Sequence, residues 1–187
     1  MLTAPRVLAL AARPEGLRLV QEPVAELRSL RREHWSVPPR EVRSAVALAG
    51  VAGDALEIEA ELAPGSAAAF GLKVRTGANE ETVVGYDVRA GELFVDRRRS
   101  GNVGFSPHFA GRHAAPLALE GGRLRLHLLV DRSSVEAFAN SGRVVITDRI
   151  FPDPQSQGVE AWAEGGTAFL AALEAWSMAA IPGTRDP

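Results

Sequence analysis

The sequence predicts an all-β fold: an antiparallel β-sandwich, concanavalin- or jelly-roll-like, with two packed sheets of short strands. Two observations carry this. From residue 45 onward apolar and polar residues alternate with a period of two, most cleanly in "ALEIEAEL" at 55–62, where Leu56, Ile58, Ala60 and Leu62 oppose Glu57, Glu59 and Glu61. Clusters of Gly, Asn, Ser and Pro then interrupt the chain at the short intervals expected of a sandwich or barrel.

In chain order, "RVLALAAR" reads as a strand, Pro14-Glu15-Gly16 as a turn, and residues 17–21 as a second short strand. Val24, Leu27 and Leu30 recur every three residues, which fits a single helical turn or an irregular covering segment better than a long helix. "HWSVPPREV" reads as a connector, because Pro38 and Pro39 lack donors and fix an extended path. The acidic side of "ALEIEAEL" is expected to be solvated. "AFGLKVRTG", "ETVVGYDVRA", "GELFVDRR", "RLRLHLLVD", "VEAFAN", "RVVITDRIF" and "GVEAWAEGG" follow as strands. "TAFLAALEAW" has helical propensity, but the preceding strands need a partner edge, so it is read as the closing strand.

At 187 residues the chain holds enough material for one well-filled core. Hydrophobic residues at 46% and charged residues at 24% are ordinary for a globular protein. Twenty-one cations scattered among 23 acidic residues give a net charge of -2, which argues against a nucleic-acid partner. The absence of Cys excludes disulfides, thiolate metal sites and a cysteine nucleophile. The apolar run at residues 7–12 is too short for a typical export signal, and no window approaches the roughly 18 apolar residues that span a membrane. The four histidines, His34, His108, His113 and His127, lack metal-ligand spacing and are expected in surface or loop roles, so no metal or cofactor is expected. Trp162 and Trp176 sit in apolar strands and read as core residues, while Trp35 is open to stacking on a sugar ring.

One stretch departs from its surroundings. "HLLVDRSSVEAFANSGRVVITDRIFP" places Asp131, Arg132, Ser133, Ser134 and Glu136 between two apolar segments. Two readings stay open. In the first, Asp131 and a serine hydroxyl accept backbone donors in a tight turn while Arg132 and Glu136 pair on the surface. In the second, the same ionised groups bind an array of sugar hydroxyls, which need both acceptors and donors. Asp96-Arg97, at another strand end, and Tyr86-Asp87, one hairpin earlier, join Asp131, Arg132 and Glu136 as candidate carbohydrate ligands. Hydrolysis by Asp131 and Glu136 themselves is disfavoured. A retaining glycosidase needs two carboxyls about 5 Å apart, one of them kept protonated, and Arg132 beside them favours ionisation of both.

The stretch "LHLLVDRSSVEAFANSGRVVITDRIFP" resembles the signature of the C-terminal β-sandwich of family 32 glycoside hydrolases, the invertases, levanases and inulinases that cleave fructosyl linkages. "GLRLVQEPVAELRSLR" resembles the segment leading from that family's five-bladed catalytic propeller into its sandwich, and "ELFVDRRRSG" a strand ending in Asp-Arg. The resemblance implies a lead-in strand and linker at 1–36, a sandwich at 37–181 and a tail at 182–187. It also implies that catalysis belongs to the propeller, whose Asn-Asp-Pro, Arg-Asp-Pro and Glu-Cys motifs have no counterpart here: Asn-Asp-Pro and Cys are absent, and the terminal "TRDP" falls after the sandwich. Met1 is then an internal methionine of a longer ancestor or the start of a fragment. The implied function is a non-catalytic companion that stabilises a propeller in cis or in trans, without catalytic residues of its own. The alternative is a stand-alone fructan-binding module that holds fructan or fructose.

Overall fold

The computed structural model describes residues 3–13 and 16–180. Met1, the Pro14-Glu15 part of the expected turn, and the expected tail with its Arg-Asp-Pro lie outside the described residues. The chain opens with a hairpin, β1 (Arg6–Arg13) and β2 (Gly16–Pro23), followed by a 3-10 helix at Ala25–Leu30. Then come β3 (Arg31–Val37), β4 (Arg40–Val42), β5 (Val46–Ala52), β6 (Leu56–Ala63), β7 (Ala69–Thr76), β8 (Glu81–Asp87), β9 (Glu92–Arg99) and β10 (Arg112–Pro116). The last five are β11 (Leu124–Asp131), β12 (Ser134–Ala139), β13 (Val144–Arg149), β14 (Gly158–Glu164) and β15 (Ala168–Met178).

Three antiparallel sheets result. The hairpin is a two-stranded sheet of its own; a six-stranded sheet runs β10-β9-β8-β7-β14-β5; and a seven-stranded sheet runs β13-β12-β11-β6-β15-β3, with β4 also on β15. The large sheets pack face to face as the expected sandwich. Leu72, Val74, Leu93 and Val95 come from one inner face, and Leu56, Ile58, Leu62, Leu126, Leu128 and Leu173 from the other. Removing this apolar surface from water is the main favourable term in folding.

"TAFLAALEAW" is indeed the closing strand, paired with β6 on one side and with β3 and β4 on the other. Its helical look has a local cause. The register shifts between Leu170 and Ala172, so Leu170 and Leu173 both face the core although three residues apart. "HWSVPPREV" is more than a connector: residues 34–37 end β3 and residues 40–42 form β4, both hydrogen-bonded to β15. The prolines occupy only the break between these two edge segments, where no ladder donor is required.

The acidic side of β6 is not uniformly solvated. Glu57 is 2% exposed, because Arg31 of the lead-in segment and His127 of β11 cover it and bond to its carboxylate. Trp162 is buried as expected, yet it lies on the outward side of the six-stranded sheet. Its ring and that of Phe94 lean over Gly85, where a Cβ would meet Trp162 Cζ2 at 2.6 Å and Phe94 Cζ at 2.7 Å. Trp176 is only half-buried: Arg31 stacks on its ring at 3.6 Å and His34 lies alongside. Trp35 packs against the core.

Candidate functional site

The polar stretch 131–136 is split by the pleat of the hairpin that carries it. Asp131 ends β11 opposite Ser134 of β12, and Arg132-Ser133 form the turn. The Asp131 carboxylate accepts the Arg132 N–H at 2.8 Å, and Arg132 Nε donates to Asp54 Oδ2 at 3.0 Å. Beneath this end lies Arg75, 2% exposed and at φ 50°. Its guanidinium donates to the carbonyls of Ser156 (2.7 Å), Asp54 (3.3 Å), Asp153 (3.3 Å) and Arg132 (3.4 Å), tying three connections together. Burial pulls Arg75 below the usual arginine pKa, partly offset by Asp54, Glu80 and Asp131.

Glu136 is 5% exposed on the outer side of the seven-stranded sheet and is committed to the start of the chain. Its Oε2 accepts Arg6 Nη2 at 2.5 Å and its Oε1 accepts the Ala4 N–H at 2.7 Å. Arg6 also donates to Thr147 Oγ1 and Gln21 Oε1 and lies over the Phe138 ring. Glu136 therefore pairs with Arg6 and Arg132 with Asp54, in place of the Arg132–Glu136 surface pair expected from sequence.

The other candidate ligands are dispersed. Asp96 binds the Arg98 side chain and backbone on the outside of β9; burial raises its pKa, but these Arg98 bonds outweigh that and hold it below the usual carboxylate range. Arg97 points the other way, donating to the Arg149 carbonyl at 3.1 Å, approaching buried Asp148 at 3.7 Å and covering the Phe109 ring. Asp87 caps the following turn through the Ala90 N–H. Tyr86 is buried, with its hydroxyl on the Leu117 carbonyl at 2.8 Å; burial, then Asp87, raises its pKa. Asp131 and Arg132 thus stand at one end of the sandwich, Glu136 under the hairpin, Asp96 and Asp87 on the six-stranded sheet, and Tyr86 within the molecule.

Three polar centres have no local signature in the sequence. Glu57 receives Arg31 Nε (2.7 Å) and Nη2 (2.8 Å), and His127 Nε2 lies 2.7 Å from its Oε1. Burial pushes the Glu57 pKa up, but the Arg31 and His127 hydrogen bonds and charges overcome this and hold it at about 2. The ligand atoms of Glu57, Glu59 and His127 lie close enough together to hold a metal ion. The Arg31 guanidinium, bonded to both carboxylates, already supplies the cation there. His34 pairs with Glu174 and His113 with buried Asp148, so three of the four histidines are strand residues bound to carboxylates.

Above this outer face, the end of β2 and the 3-10 helix enclose a groove of about 390 Å3. Its floor includes Glu59, Glu61, His127 and Glu174, and its lip includes Glu22, Arg28 and Ser141.

Against known proteins, the family model described as glycosyl hydrolases family 32 C terminal matches residues 25–177. The chain is 48% identical over 185 residues to a levanase of Bacillus subtilis, covering 96% of this chain and 27% of that protein. It is 41% identical to a levanase of Bacillus sp. strain L7, covering 95% of this chain and 20% of that one. Among solved structures, the exo-inulinase of Aspergillus awamori superposes with a TM-score of 0.84 at 27% identity, over 95% of this chain and 36% of the enzyme. The chain therefore spans about a fifth to a third of the length of these relatives.

Proposed function

The chain belongs to the C-terminal domain family of the family 32 glycosyl hydrolases, and on that premise we propose that it is the non-catalytic companion of a fructan-cleaving propeller, which it stabilises by packing against it. The observation that carries this reading is the β1–β2 hairpin. Leu8, Leu10, Leu17 and Leu19 are 51–71% exposed on one face of a two-stranded sheet that no third strand joins among the described residues, and Val7 is exposed on the other face. A hairpin alone is marginal in water, and this much contiguous apolar surface marks an interaction site. In a longer protein the hairpin is where the preceding domain docks, and Arg6–Glu136 fixes it to the sandwich.

The electrostatics support the non-catalytic half of the proposal. The carboxyls of Glu57, Glu61, Asp96 and Glu174 are all held below their ordinary range by cationic or hydrogen-bonding neighbours, the reverse of what a glycosidase acid needs. The test is direct: the purified chain should release no fructose from levan, inulin or sucrose. Release above a buffer blank that disappears in Glu136→Gln would overturn the proposal.

A further inference from the structure

We propose that the groove between the 3-10 helix and the outer face of the seven-stranded sheet is a secondary binding site for a neutral fructose oligosaccharide, an inference that rests on the companion-domain reading. At about 390 Å3 it lies at the lower end of the roughly 300–1,000 Å3 common for small-ligand pockets. Its chemistry selects the ligand. Glu59 is bonded to Arg31 and Glu61 to Arg123 and Arg125, while Glu22, Glu174, Arg28 and His127 complete the polar lining, so the groove presents carboxylates and guanidinium groups side by side with no cation left in excess for an anion. Hydroxyl groups suit such a lining, because each donates to a carboxylate and accepts from a guanidinium without bringing a charge that must be desolvated.

Floor and lip differ in availability. The floor groups are already organised: Glu61 accepts Arg123 and Arg125, Glu174 accepts Ser36 and His34, and His127 is oriented by Glu57. On the lip, the side chains of Glu22, Arg28 and Ser141 make no hydrogen bond or ion pair with any described residue. They come from three separate segments: β2, the 3-10 helix and the β12–β13 turn. A chain of hydroxyls laid in the groove would bond to the fixed floor and order these three, joining the lead-in segment to the sandwich. Such a site would hold a substrate chain beside the domain that cuts it.

The experiment is calorimetric titration of the chain with levan-derived fructose oligomers, in parallel with spermidine as a cationic probe. A few net-favourable hydrogen bonds, less the cost of immobilising the sugar, predict a Kd of about 0.1–1 mM. Glu22→Ala and Arg28→Ala should each weaken binding about fivefold or more without changing the melting temperature, since neither side chain has an internal partner. Asp131→Ala should leave the affinity unchanged. Absence of saturable oligomer binding, binding indifferent to both lip variants, or saturation by spermidine alone would each overturn the site. Docking of a propeller is measured separately, so loss of the groove with docking intact defeats only this inference.

Discussion

Glu136 Oε2 lies 2.5 Å from Arg6 Nη2, and this one contact joins β12 to the first strand across 130 residues of chain. The carboxylate is buried, so losing Arg6 alone differs from losing both members of the pair. Arg6→Ala strands an uncompensated charge and should cost about 3 kcal/mol, whereas Arg6→Ala combined with Glu136→Leu removes both charges and should recover more than half of that loss. Urea unfolding of the two variants checks it; a double variant less stable than Arg6→Ala would refute the pairing.

The turn below that contact admits only glycine. Gly142 has φ 69°, and a Cβ there would lie 1.9 Å from the Gln21 carbonyl oxygen, on the backbone of β2. Gly142→Ala should displace the hairpin and accelerate amide exchange of residues 16–23. Gly121, at φ 58° with open space around it, is the control: Gly121→Ala carries only the left-handed backbone cost of about 1–2 kcal/mol and should leave the hairpin's exchange unchanged. Equal exchange in both variants would contradict the close approach.

Acid should act through Glu57. Its folded pKa of about 2 lies below the ordinary value of 4.5, so the folded state favours the ionised form. The stability from this group is fully present above pH 4.5 and is lost as pH falls through 2, a total of about 3 kcal/mol. Glu57→Gln should flatten the stability profile across that window. A variant that retains the full acid-dependent loss would assign it elsewhere.

Most of the fold is legible because strands obey local rules. The alternation of Leu56, Ile58, Ala60 and Leu62 names the inner face of β6 directly. The polar centres are not legible, because their partners are remote: Arg31 and Glu57 are 26 residues apart, His127 and Glu57 70, and Arg6 and Glu136 130. A period-two reading assigns Glu57 and Glu136 correctly to the outer side but cannot foresee that the lead-in segment roofs that side. The strand in "HWSVPPREV" is hidden similarly, since Pro38-Pro39 suggests a break in structure when only the ladder is broken.

Arg75 should be the costliest single loss at the turn end of the sandwich. Replacing it with Met keeps the length but takes a donor from four carbonyls, of which that of Asp153 keeps another, the Ser156 N–H, and leaving buried polar groups unpaired should cost about 3 kcal/mol or more. Asp131→Ala, nearby but exposed and bonded only to its own turn, should stay within about 0.5 kcal/mol. Thermal unfolding of both variants decides this; similar shifts would deny Arg75 its role in tying the connections.

The companion-domain account is tested most directly by the melting temperature of the chain with added propeller from the Bacillus subtilis levanase, ending where similarity to this chain begins. A partner that binds only the folded form adds about 2.7 kcal/mol at 100 times its Kd, or about 5–10 °C for a domain of this size. The account predicts that rise, and predicts that Leu8→Ser, Leu10→Ser and Leu19→Ser together abolish it while leaving the isolated chain's melting temperature nearly unchanged. No rise at tens of micromolar partner, or a rise that survives the three substitutions, would contradict docking through the hairpin.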